Sequence, residues 1–159
     1  MVLNRRGSAA WARLVLALVV LLALPGCRGT RRAAGPTVGV IVHDFRIDPS
    51  RSTIAAGTVA FDVYDRGPST HEFVIVRTSL PPDQLPLGTD GLTVDEESPL
   101  LEDVGEISDL NVGDSGQLLV HLSPGRYVLF CNLEGHYLGG MHALIQVGRI
   151  GSGTGGSST

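Results

Sequence analysis

Between Gly125 and Val147 the chain reads GRYVLFCNLEGHYLGGMHALIQV. Two apolar, strand-like runs enclose a glycine-rich connection, which carries Cys131, His136 and Met141 at intervals of five residues. If the two runs pair, a thiol, an imidazole and a thioether gather at one end of the sheet they form. Strand alternation puts Cys131 on the face of Tyr127 and Leu129, and Met141 on the face of Ala143, Ile145 and Val147. Sulfur and imidazole donors make a soft ligand set, and a soft set favours copper. A second histidine completes a His2Cys site with a distal Met. His71 is placed to supply it, because it heads the strand-like run HEFVIVR after a Gly-Pro break, on the face shared with Phe73 and Ile75.

The rest of the domain has the same short-strand character. VGVIVHDF (38–45), a short run at 52–56, VAFDVY (59–64), HEFVIVR (71–77), QLLVHL (117–122), RYVLFC (126–131) and MHALIQV (141–147) each read as a strand, with turn signals between them. The 21 Gly and 9 Pro residues fit strands joined by turns better than long helices. The expected fold is all-β: an antiparallel Greek-key β-sandwich of seven or eight strands.

The N-terminus reads as an address. Arg5, Arg6 and Arg13 precede an 11-residue apolar run, Leu14 to Leu24, which is the length of a signal core and short for a membrane span. Leu24-Pro25-Gly26-Cys27 resembles the lipobox of bacterial lipoproteins, and that resemblance implies cleavage before Cys27 and its acylation. An ordinary cleaved signal, or an uncleaved anchor starting at Trp11, are the other readings. The expected organisation is a signal peptide over 1–26, a lipid-anchored tether over 27–36, a folded domain over 37–148 and a Gly/Ser tail over 149–159.

Charge narrows the partners. All 12 basic residues are Arg, and three of them precede Cys27. From Cys27 onward 9 Arg face 16 acids, a balance of −7, which excludes nucleic acid as a natural partner. Ten of those acids fall between Ser79 and Ser115 without a single base. That 37-residue stretch is too long for a plain loop. Ser98-Pro99 is expected to open a short helix within it. Its charge reads either as a solvated surface or as a docking face for a basic partner.

Each residue of the constellation has an ordinary reading when taken alone. Cys131 fits a buried core thiol or a disulfide to Cys27, His71 a strand-end histidine, and Met141 core filler. Zinc is the competing metal, although structural zinc sites usually recruit more than one Cys and rarely Met. His43, His121 and His142 fit surface positions, with His142 pointing away from the site.

Cys131-x4-His136-x4-Met141, preceded by PGRYVLF and paired with the upstream His of STHEFVIV, resembles the cupredoxins, the blue copper proteins. Rusticyanins and auracyanins share this spacing. The resemblance implies one type 1 copper per chain, with His71, Cys131 and His136 as strong ligands and Met141 as the weak axial one. It also implies one-electron transfer without a small-molecule substrate. A partly exposed His136 would pass the electron, inside an apolar collar formed by Tyr137, Leu138, Gly139 and Gly140. A basic cytochrome or a terminal oxidase are the partners that fit, with the membrane reached through the lipid anchor. Glu72 stands where plastocyanins and azurins carry Asn, and is expected to accept the backbone N–H of Asn132. The alternative function is a copper chaperone or store that supplies an oxidase. A copper enzyme needs further copper sites and domains, and a metal-free adhesion sandwich leaves Cys131 and His136 unexplained.

Overall fold

The computed structural model describes residues 35–149. The expected signal, most of the tether and the tail, Cys27 among them, lie outside the described residues. Nine strands follow in order: β1 (Thr37–His43), β2 (Arg46–Pro49), β3 (Thr53–Ala55), β4 (Gly57–Asp65), β5 (His71–Arg77), β6 (Glu102–Leu110), β7 (Ser115–Leu122), β8 (Gly125–Phe130) and β9 (His142–Gly148). They form a four-stranded sheet, β2-β1-β4-β7, and a five-stranded sheet, β3-β9-β8-β5-β6. The described residues contain no helix, and none is therefore long and apolar enough to cross a membrane.

Alternation drives the sandwich. Val38, Val40 and Val42 of β1 and Val59, Phe61 and Val63 of β4 all point inward and are buried. They meet Phe73 and Ile75 of β5, Tyr127 and Leu129 of β8, and Ile145 and Val147 of β9 in one core.

The sheets are mixed, where purely antiparallel pairing was expected. β1 runs parallel to β4, and β3 parallel to β9. After β2 the chain crosses to the other sheet for three residues and returns as β4 beside β1. Side-chain alternation is the same in either direction, so the sequence carried no sign of this.

Two strands were not foreseen, which brings the count to nine. β2 contains Pro49, whose turn-like sequence conceals an edge strand where a missing N–H is tolerated. β6 lies inside the acidic stretch, also on a sheet edge, and its exposed acids discourage further strand pairing. The expected helix at Ser98 is a turn, in which Leu101 N–H reaches Ser98 O at 3.0 Å before β6 begins.

The acidic stretch also has an apolar underside. β5 and β8 are buried on both faces because Leu85 and Val94 cover Val74, Val76, Val128 and Phe130 in a second core, joined by Tyr137.

Strand direction defines two poles. β1 and β4 end, and β5 and β9 begin, at the pole that carries residues 131–141. Thr37 and Gly148 lie at the opposite pole, near Gly57 and Gly125.

Candidate metal centre

All four residues of the expected ligand set lie at one pole. His71, Cys131 and Met141 are fully buried. His136 is half-buried, and its Nδ1 lies 3.5 Å from Cys131 Sγ. The rings of His71 and His136 are 5.3 Å apart between centroids. The loop folds back on itself through Cys131 N–H to Met141 O at 3.2 Å and Met141 N–H to His136 O at 3.0 Å. Gly140 makes the return possible with a φ of +101°, a conformation that L side chains rarely adopt. Cys131 is a free thiol.

The thiol's surroundings favour a ligand role. Glu72 donates its backbone N–H to Cys131 Sγ at 3.3 Å. Burial pushes the thiol up from its ordinary value, while N–H groups of Glu72 and Leu133 work against the rise. A metal ion would reverse that balance, because a coordinating thiol is deprotonated outright. Burial, followed by repulsion from His71, pulls His136 below the usual histidine value, towards the neutral form that a metal needs.

His71 is held by a carboxylate the sequence did not point to. Its Nδ1 lies 3.0 Å from Oδ1 of Asp65, itself fully buried at the end of β4. With Nδ1–H donating, Nε2 keeps a free lone pair, and Nε2 is buried without a hydrogen-bond partner. Asp44 Oδ1 is 3.1 Å from Nε2 but not in hydrogen-bonding geometry. Asp44 is engaged by Ser69, which donates through its N–H and its hydroxyl. A buried imidazole nitrogen without a hydrogen-bond partner, a buried thiol, a second imidazole and a thioether at one pole make a donor set whose chemistry fits copper. Among the described residues, no three His, Cys, Asp or Glu side chains form a closed cage by themselves. Here Met141 stands in the set as a fourth donor, and His71 is turned towards Asp65.

Glu72 and Asn132 are also both at the site. Burial raises Glu72 above the ordinary carboxylate value, with repulsion from Glu106, Glu96 and Asp109 adding to it; a backbone hydrogen bond from Asn132 lowers it. The Asn132 side chain faces the other way, into the acidic stretch. It accepts Val94 N–H at 2.6 Å and donates to Val94 O at 3.1 Å and to Glu96.

Tyr137 departs from expectation. It is buried instead of forming part of a collar, because its ring packs edge-on against Phe130 and its hydroxyl bridges two backbone groups. That hydroxyl accepts Leu85 N–H at 2.8 Å and donates to Pro82 O at 2.9 Å. Gly135 N–H adds a bond to Leu92 O at 3.1 Å. The proline-rich part of the acidic stretch thus braces the ligand loop from outside. Asn132→Ala leaves both polar groups of Val94 without partners, and the expected cost is about 2 kcal/mol, read as a lower denaturation midpoint of the metal-free protein.

Phe45 takes the surface place expected of Tyr137. It sits in the β1–β2 turn at φ +60°, 51% exposed, with its ring 5.5 Å from that of His136. It occupies the space that a Cβ on Gly139 would need. Leu138 is also 51% exposed. His142 packs against Tyr137, away from the ligand set, and His43 and His121 also stand outside it.

No known protein family matches the chain by sequence, and no curated protein matches it. Solved structures do match. Reduced auracyanin from Roseiflexus castenholzii superposes with a TM-score of 0.56 at 21% identity, over 72% of this chain and 98% of that one. The fold is that of the cupredoxins. Auracyanin A from Chloroflexus aurantiacus, described as a blue copper protein, gives 0.51 at 17% identity over 72% of this chain and 100% of its own. Rusticyanin from Thiobacillus ferrooxidans gives 0.50 at 20% identity over 72% and 79%. Two mixed sheets of four and five strands go with the cupredoxin fold.

Proposed function

We propose that His71, Cys131, His136 and Met141 hold one type 1 copper ion, and that the protein carries single electrons outside the cytoplasm. The observation that carries this reading is the buried Cys131 sulfur between the Glu72 N–H and His136 Nδ1, in a cupredoxin fold. Bound copper supplies a one-electron couple, Cu(II)/Cu(I). The chain contributes a rigid cradle: His71 is fixed by Asp65, and the loop is braced by Asn132 and Tyr137. A site that does not rearrange on gaining or losing an electron exchanges electrons quickly. That purpose calls for a carrier and not an enzyme, and for no substrate pocket.

His136 is the ligand nearest solvent, flanked by Phe45 and Leu138. This small apolar surface suits short-lived docking, and small interfaces are weak. Asp44, 3.1 Å from His71, and Glu134, within the same loop as His136, bring acid to this pole and favour a partner with a basic rim, such as a cytochrome or a terminal oxidase. The signal-like N-terminus supports export, and Cys27 supports attachment to the outer face of the membrane as a lipoprotein. Incorporation of labelled fatty acid that persists in Cys27→Ala would remove the anchor from this reading.

The deciding experiment is a Cu(II) titration of the metal-free protein with visible spectra. The expected result is an intense thiolate-to-copper absorption that saturates at one equivalent, bleaches on reduction and returns on oxidation. A titration without that band would sink the proposal. A tight Cu(I) complex without reversible colour would favour the chaperone reading.

A further inference from the structure

At the pole away from the ligand loop, the end of β5 and the starts of β6 and β8 border an open cleft of about 420 Å³. Acids outnumber bases in this domain, yet two guanidiniums, Arg77 and Arg126, line the same cleft. Arg77 is held in place. Its Nη1 donates to Glu102 Oε2 at 3.1 Å and its Nη2 to Pro124 O at 3.2 Å. It lies against Gly125, where an added Cβ would come 2.8 Å from Arg77 Nε. A glycine at 125 therefore makes room for the guanidinium. Thr78 ties the walls together, its N–H donating to Arg126 O at 3.2 Å and its hydroxyl to Leu100 O at 2.9 Å. Arg126 is different. Its Nε is buried with no hydrogen-bond partner, and among the described residues its guanidinium forms no ion pair. A buried donor without an acceptor is costly. Glu102 offsets the charge of Arg77, so Arg126 leaves the cleft with a net positive charge.

We propose that this cleft binds a phosphate group, with Arg126 and Arg77 as its two guanidinium contacts. A guanidinium presents a planar fork of donors that matches phosphate oxygens two at a time. One fork satisfies a carboxylate, whereas a tetrahedral phosphate offers oxygens to two forks that come from different strands. Arg126 Nε gains the acceptor it lacks, and the net positive charge of the cleft suits an anion. Arg77 reaches the site already oriented by Glu102 and Pro124, so little side-chain freedom is lost on binding. Two sources carry this chemistry: free inorganic phosphate and the phosphodiester of a lipid headgroup. The metal centre takes no part, because it lies at the other pole, and the inference stands whether or not copper binds. Arg66, exposed and next to the end of β4 at the metal pole, shows what an ordinary surface arginine contributes.

The test is calorimetric titration of the full-length, metal-free chain with two probes. One is inorganic phosphate, and the other is glycerophosphoglycerol, the deacylated headgroup of phosphatidylglycerol. Wild type is expected to bind at least one of them saturably at one equivalent. Tighter binding of the diester assigns the cleft to a lipid headgroup, and tighter binding of inorganic phosphate assigns it to the free ion. Arg126→Gln is expected to weaken binding at least about tenfold, as the loss of a charge-assisted bidentate contact should. Arg66→Gln removes the same charge at the other pole and is expected to change affinity less than about twofold, since exposed charges a domain's length apart are screened. Gly125→Ala pushes the Arg77 guanidinium aside and is expected to weaken binding with both arginines still present. No saturable binding of either probe overturns the proposal. So does an Arg126→Gln protein that binds as wild type does, or an equal loss in Arg66→Gln. Should Arg126→Gln fail to fold, Gly125→Ala decides, and undiminished binding in that variant overturns the proposal.

Discussion

Cys131→Ser abolishes the intense visible absorption of the copper-loaded protein and weakens copper binding by more than about 100-fold, since groups that merely hydrogen-bond a ligand already command up to that much. The change is small in volume and severe in chemistry. A serine hydroxyl stays protonated at neutral pH and is hard, whereas the metal needs an anionic, soft donor. The fold should survive. Residue 131 is fully buried, but the hydroxyl can accept the Glu72 N–H that now points at the sulfur. The metal-free variant is therefore expected to unfold cooperatively within about 1–2 kcal/mol of wild type. Parallel denaturation and copper titration separate the two effects. A variant that keeps its colour would show that the sulfur is not a ligand.

Phe73→Ala is expected to have the largest effect on stability, about 3–5 kcal/mol, as for other fully buried phenylalanines. Its ring is completely enclosed, packs 5.8 Å from that of Phe61 on the opposite sheet and sits two residues after His71 on β5. Small domains have total stabilities of about 5–15 kcal/mol, so this one truncation removes a large share. Urea unfolding of the metal-free protein measures it. Phe45→Ala, at the half-exposed ring beside His136, provides the contrast, and should stay within about 1 kcal/mol. A loss below about 1.5 kcal/mol for Phe73→Ala would mean that the two sheets do not depend on this contact.

Local pattern made the centre of the fold legible. β4 alternates without a break, and Cys131, His136 and Met141 sit between two runs that pair in the register Leu129 to Ala143. That His71 shares a pole with residues 131–141 was legible because β5 starts where β8 ends. What stayed hidden depends on contacts far apart in the chain. Asp65 ends a strand with an ordinary inward-outward pattern, and nothing local says that its carboxylate meets His71. Asp44 and Phe45 looked like the tail of β1 until β2 turned back at that point. Tyr137 has the sequence surroundings of a surface loop, and is buried because Pro82 and Leu85 come to its hydroxyl. The apolar underside of the acidic stretch was obscured by its charge, although β5 and β8, apolar on both faces, needed a cover.

The two poles of the sandwich bear on how the molecule would work at a surface. The chain enters at Thr37 and leaves after Gly148 at the same pole, and the ligand loop is at the other. Anything joined to the chain before Thr37 or after Gly148 is thus joined at the pole opposite Cys131, His136 and Met141, and leaves the end with the exposed Phe45 and Leu138 free of the points of attachment.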